Sequence, residues 1–271
     1  MKVRKPAVAG TFYPYNSDEL KKTLSQLLEE NIPDKNYKDI FGIVSPHAGY
    51  VYSGKSAAFA INAIKNQKFT TAIVISPSHR EYFKGVSIYN GDFYETPLGK
   101  IEIDKELSDQ FLSGSESIFY SEQGHRNEHA LEVQLPFLQM INENFKLVPL
   151  VIGDQGKKYI DELASKLAEV RTLDSIIIAS SDLSHFYSRE IANNLDSNVE
   201  NRINRFEYNE LLEDLVDGKS EACGGGGIVA LMKAADICGF TKAEVISRTD
   251  SGDVSGDISG VVGYLSAVLF R

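Results

Sequence analysis

Thr70-Thr71-Ala72-Ile73-Val74-Ile75-Ser76-Pro77-Ser78-His79 is the stretch whose reading decides the fold. Residues 70–75 are apolar without alternation, the pattern of a strand buried on both faces. The run stops at Ser-Pro, where proline withholds a backbone donor and fixes a turn, and a histidine follows at once. Outward from this point the arrangement repeats. Phe41-Gly42-Ile43-Val44 leads into Ser45-Pro46-His47, and Ser175 to Ala179 leads into Ser180-Ser181-Asp182-Leu183-Ser184-His185.

Amphipathic stretches separate the apolar runs. Helices are expected near 54–64, 129–141 (bent or interrupted by Pro136), 159–170 and 228–237, with two more in 189–216. Further strands are expected at 147–152, 245–248 and 261–270. Residues 86–89 and 99–103 read as a strand pair around the turn-rich Asn90-Gly91-Asp92. Strand–helix alternation of this kind predicts an α/β sheet covered by helices on both faces. Ligands of such sheets bind beyond the carboxyl ends of the strands. His47, His79 and His185 all fall there. With no linker, repeat or composition shift, residues 1–271 read as one domain.

The bulk numbers agree. The chain has 271 residues, 42% of them hydrophobic, and a formal net charge of −10. An acidic chain is a poor match for nucleic-acid phosphates. No apolar run approaches a membrane span, and no apolar stretch follows the basic N-terminus as a signal peptide requires. Two cysteines, Cys223 and Cys238, are too few for a disulfide scaffold. The expected setting is cytoplasmic, with no nucleic-acid or membrane partner.

Histidine suits metal binding and proton transfer near neutral pH. His47 reads as a metal ligand or base on a loop, against a turn histidine bonded to backbone. His79 reads as a metal ligand or general base. A serine hydrolase fits poorly, because adjacent Ser78 and His79 side chains do not meet and no Gly-x-Ser-x-Gly elbow exists. Asp182 is either a helix N-cap or an aspartate that orients an imidazole or helps bind metal. His185 reads as a general acid/base. His125-Arg126-Asn127-Glu128-His129 matches the His-x-x-Glu-His form of inverted zinc proteases, but Gly124 places His125 before any helix, and Asn127 itself suits an N-cap. His129 and Glu132, three apart, would share a face and line the pocket or brace it.

Cys223 precedes Gly224-Gly225-Gly226-Gly227. Four glycines ahead of a helix would leave amides free for an anion, although no P-loop ending follows. A thiol at a helix N-terminus is expected to have a lowered pKa and to serve as ligand or nucleophile. Cys238 reads as a small core residue. The acidic segment 250–257 lacks the glutamate of a calcium loop and reads as a solvated loop bordering the pocket.

Ala9-Gly10-Thr11-Phe12-Tyr13-Pro14, Pro46-His47-Ala48-Gly49-Tyr50, Ser78-His79, Glu128-His129-Ala130-Leu131-Glu132 with Leu135-Pro136-Phe137, Ser180-Ser181-Asp182-Leu183-Ser184-His185 and Cys223-Gly224 occur in that order. Together they resemble the Memo family, whose prokaryotic members are called AmmeMemoRadiSam system protein B. The resemblance spans nearly the whole chain. It implies an α/β/α three-layer sandwich around a mixed, largely parallel sheet, similar to class III extradiol dioxygenases. It also implies a metal position built from His47, His79 and Cys223, with Asp182 and His185 lining the same pocket. His125 is not part of the family pattern. In the dioxygenases a carboxylate stands where Cys223 falls, and a thiolate is softer and itself oxidisable. Fold therefore does not carry the reaction across.

The leading expectation is a metal-binding protein with an oxidoreductase-like pocket. It would hold iron, or else copper or zinc, with His185 as acid/base and Asp182 and His129 either supporting the metal ligands from behind or facing substrate. A second expectation is a non-catalytic module that binds a peptide or small anion in that pocket, motivated by the glycine amides. A third is a hydrolase using metal-bound water. The family name implies a link to radical-SAM and AMMECR-type proteins.

Overall fold

A computed structural model of the chain covers residues 1–271. In chain order the first elements are β1 (Val3–Arg4), α1 (Ser17–Glu30), β2 (Ile40–Ser45), α2 (Tyr50–Ile64), β3 (Thr71–Pro77), β4 (Val86–Tyr89), β5 (Phe93–Thr96) and β6 (Gly99–Glu102). Then come α3 (Lys105–Leu112), β7 (Ile118–Ser121), α4 (Gln134–Ile141), β8 (Lys146–Ile152), α5 (Lys157–Val170), β9 (Ser175–Ser180) and β10 (His185–Tyr187). The chain closes with α6 (Arg189–Asn204), α7 (Tyr208–Val216), α8 (Gly225–Ile237), β11 (Lys242–Asp250), α9 (Gly252–Ser255) and β12 (Val261–Phe270).

Nine strands form one mixed sheet in the order β10-β12-β2-β9-β3-β8-β4-β7, with β11 on the outer side of β12. The central four, β2-β9-β3-β8, are mutually parallel. These are the fully apolar runs, and their side chains alternate between two cores. Ile73, Ile75, Ile177, Ala179, Val148 and Leu150 face one layer with α3, α5, α7 and α8. Ala72, Val74, Ile176, Ile178, Leu147 and Val151 face the other, with α1, α2 and α4. Residues apolar on both faces must be covered on both faces, which yields the three layers. The architecture is the α/β/α sandwich that the resemblance implied. No helix is long and apolar enough to cross a membrane.

Parallel pairing aligns the strand ends. Ser45 at the end of β2 lies opposite Ser180 at the end of β9, and β9 pairs with β3 on its other side. His47, Asp182 and His79 each stand two residues beyond those strands, at one edge of the sheet.

Several expectations change. Residues 86–89 and 99–103 are not partners. β4 belongs to the main sheet, while β6 pairs with β5 in a small sheet β1-β5-β6. Pro136 does not interrupt α4. It is the third helical residue, where an amide has no intrahelical acceptor to lose. The helix read at 228–237 begins at Gly225, so three of the four glycines lie inside it. β1, α1, α3, β5, β7 and β10 fall outside the sequence reading, and the segment 250–257, read as a loop, holds the end of β11 and the short helix α9.

Candidate metal centre

The Cys223 Sγ lies 3.1 Å from His47 Nε2. Candidate ligand atoms of His47, His79 and Cys223 all lie within 4.8 Å of one another. Three residues up to 176 positions apart therefore face a common point. β2 and β3, which flank β9, deliver the two imidazoles, and the turn before α8 brings the sulfur in from the α8 layer.

Hydrogen bonding fixes which nitrogen each imidazole presents. The Ser180 hydroxyl donates to the Ala130 carbonyl at 2.6 Å and accepts from Gln134 Nε2 at 2.9 Å. Its one hydrogen is committed, so at 3.0 Å it accepts from His47 Nδ1–H. The His47 Nε2 lone pair is left toward the sulfur. His79 Nδ1 donates to Glu128 Oε1 at 2.9 Å, which frees its Nε2 in the same way. A carboxylate behind a ligand imidazole is a standard way of fixing its tautomer and raising its basicity. Glu128 also accepts from the amides of His79, His129 and Ala130. Burial works to raise its pKa, yet the bonds from His79 and these amides prevail and hold it at about 2.

Two free Nε2 lone pairs and a thiol fit a divalent transition metal with nitrogen and sulfur preference. His47 is buried, and burial, reinforced by His79, holds its pKa well below the ordinary value, so it is neutral at pH 7. Neutral imidazole is the ligand form. The expected lowering of the Cys223 pKa is not found. In the metal-free protein burial and the nearby Asp182 carboxylate push the thiol up, outweighing the helix terminus and the amide of Asp182, which donates to Sγ at 3.2 Å. A thiolate here requires a cation to replace the lost water.

Asp182 is not an N-cap. Residues 181–184 are irregular and lead into β10. Its Oδ1 accepts from the His47 amide at 2.7 Å, and its Oδ2 is 3.9 Å from His47 Nε2. Burial raises its pKa to about 6. Asp182, His129 and His185 line a cavity of about 600 Å³ beside the centre. The His129 ring stacks on His79 at 4.8 Å, and burial together with His47 lowers its pKa to about 4. His185 Nδ1 is 3.6 Å from Glu221, which also accepts the His185 amide. Ser251, Ser255 and Asp257 border the same cavity, as expected of the 250–257 segment.

Other readings are corrected. His125 is buried apart from the centre, bonded to the Tyr94 hydroxyl and the Ser87 carbonyl, and residues 125–129 are not helical, so the zinc-protease geometry is absent. Glu132 does not work with His129. Its carboxylate is spent on Arg4, Tyr13 and the amides of Ala7 and Val8. The glycine amides are not free. They donate to Ser181 Oγ, the Ala222 carbonyl, Gln155 Oε1 and the Gly224 carbonyl in turn. Gly224 serves packing instead, since a Cβ there would meet the Ser180 carbonyl at 2.3 Å. The motive for an anion-binding module disappears with those amides. Cys238 caps α8 and is half-buried against the core.

Sequence reasoning left Ser180, Gln134 and Glu128 without roles. The available signals were a serine pair before Asp182, a glutamine opening a mostly apolar helix, and an acid beside His129.

A family model described as "Memo-like protein" matches residues 4–268. A MEMO1 family protein of Methanobrevibacter smithii is 37% identical over 98% of this chain and 99% of its own length. One from Nitrosopumilus maritimus is 34% identical over 97% and 98%, and one from Methanosarcina barkeri 38% over 98% and 100%. Among solved structures, an uncharacterized protein of Escherichia coli K12 shares the fold with a TM-score of 0.51 and 15% identity, covering 73% of this chain and 85% of that one. By the family match and by these relatives, the chain belongs to the Memo family.

Proposed function

We propose that the protein is a metal-dependent oxidoreductase whose centre is held by His47, His79 and Cys223. Iron is the proposed metal, with copper and zinc as the alternatives that analysis would distinguish. The observation that carries the proposal is the 3.1 Å approach of Cys223 Sγ to His47 Nε2, with both imidazoles locked to present Nε2. A thiol facing an imidazole lone pair could also be a nucleophile with its base, but the second imidazole, His79, within reach of the same point favours a ligand set.

When bound, the metal would supply a redox-active Lewis acid beside the cavity. The residues around it do the rest. Ser180 and Glu128 hold the ligand imidazoles in register. His129 is neutral at pH 7, so it can accept a proton from a ligand in the cavity. Asp182 positions the His47 backbone, and His185, steadied by Glu221, offers a second proton-transfer group across the same space.

Metal analysis of anaerobically purified protein tests the centre. A stoichiometric metal in the wild type that is lost in the His47→Ala, His79→Ala double variant is the expected result. Equal content in both defeats the assignment. Oxygen uptake with metal-replete protein and candidate reductants then tests the redox step.

A further inference from the structure

The cavity beside the centre has a one-sided chemistry. It is lined by four aromatic rings, those of Phe12, Tyr52, Phe186 and Tyr264, and by two carboxylates, Asp182 and Asp257. No lysine or arginine lines it. Arg189, which anchors the 250–257 segment, spends its charge on Asp250 and Asp253. The remaining titratable groups are His129 and His185, the latter already facing Glu221. At about 600 Å³ the space suits a small organic molecule.

Two details single out polar and apolar anchors. Asp182 is 4% exposed, its Oδ1 is used by the His47 amide, and its Oδ2 has no donor. That oxygen opens onto the cavity, where a ligand carrying a hydrogen-bond donor would meet it. Phe186 has φ of +65°, a conformation a bulky side chain rarely adopts, and is 78% exposed at the cavity. Backbone held in that region while presenting an aromatic ring to solvent points to a ligand contact.

We infer that this cavity selects an organic cation, a primary or methylated amine carried on an apolar body, and discriminates against carboxylates and phosphates. The ammonium group would donate to Asp182 Oδ2, and the aromatic faces would hold both the cation and the apolar body. In protein stripped of metal, an anion entering the same space would meet carboxylates and no positively charged side chain to offset them, whereas a metal on His47 would stand beside Asp182 and weaken the preference. The inference deepens the proposed function by naming its substrate class, but it does not depend on which metal is held.

The test is calorimetry with phenethylamine, phenethyl alcohol, phenylacetate and phenyl phosphate, on protein as purified and on protein stripped by a chelator. On the stripped protein the amine should bind about tenfold tighter than either anion, with the alcohol between, and bound metal should narrow that gap. Asp182→Asn keeps an acceptor for the His47 amide, and it should remove most of the amine's advantage while leaving the alcohol unchanged. Phe186→Ala, at an exposed position, should weaken amine and alcohol alike, by about threefold. An anion that equals or beats the amine, no binding of any probe, or an amine advantage that survives Asp182→Asn overturns the inference. A protein that holds no metal yet keeps the charge order would refute the metal centre and leave this inference standing.

Discussion

Glu128 carries more of the site than its place next to His129 suggests. It is nearly unexposed, it accepts from His79 Nδ1, and three backbone amides converge on it. Glu128→Gln keeps the shape but exchanges a carboxylate for a neutral amide, which makes His79 Nε2 less basic. Metal affinity, read by competition with a chromophoric chelator, should fall by about 10- to 100-fold, the usual cost of removing such a partner. Unchanged affinity would show that His79 does not ligate. The convergence of His47, His79, Asp182 and His185 was legible in sequence because short Ser- and Pro-containing motifs hold them beyond apolar runs, whereas Cys223 entered through the family resemblance. Glu128's role was not, because its partner His79 is 49 residues away. The state of Cys223 was misread for a related reason. Sequence shows the helix terminus beside the sulfur, but not the burial that opposes it.

At the scale of elements, the central parallel strands were legible because a strand covered on both faces is apolar throughout. The small sheet β1-β5-β6 was not, because its short strands carry mixed patterns and pair with the distant N-terminus. Helix α1 does carry a signature. Asn16 caps it by accepting from the amides of Asp18 and Glu19, and Leu20 and Leu24 bury one face. The turn into α8 is tighter than its glycine content alone suggests. Gly224→Ala would drive a Cβ to 2.3 Å from the Ser180 carbonyl and 2.9 Å from Ser181 Cβ. Stability should fall by about 1–3 kcal/mol. Cys223 should shift with the turn, so metal affinity should fall in the same variant, and loss of stability with full metal binding would contradict this coupling. The N-terminal segment is tied in by a buried ion pair, Arg4 with Glu132, which Tyr13 and two amides support. Arg4→Ala leaves the Glu132 charge uncompensated and should cost about 3–5 kcal/mol in urea denaturation. A loss below about 1 kcal/mol would mean that the remaining donors satisfy Glu132 alone.

For the whole molecule, the buried imidazoles set how stability responds to acid once metal is removed. His125 and His129 are held by burial at about 3 and about 4, and His47 well below its ordinary value. Each is neutral when folded, whereas the unfolded chain takes up a proton at each near pH 6.5. The unfolded state therefore binds more protons below that pH, and stability falls as pH falls. Asp182 acts in the opposite sense. Its folded pKa of about 6 lies above the unfolded value, so the folded state gains a proton first and recovers part of the loss. Glu128, held at about 2, adds its own loss only below about pH 4.5. Asp196, also raised by burial, adds to that gain, and three losses against two gains leave a net uptake of about one to two protons on unfolding near pH 5. Between pH 7 and pH 5 the metal-stripped protein should lose on the order of 3–4 kcal/mol. High salt during urea denaturation screens the overall charge of −10, so the buried groups dominate the trend. A midpoint that holds steady or rises over that interval would mean that these imidazoles are open to water and titrate much as they do in the unfolded chain.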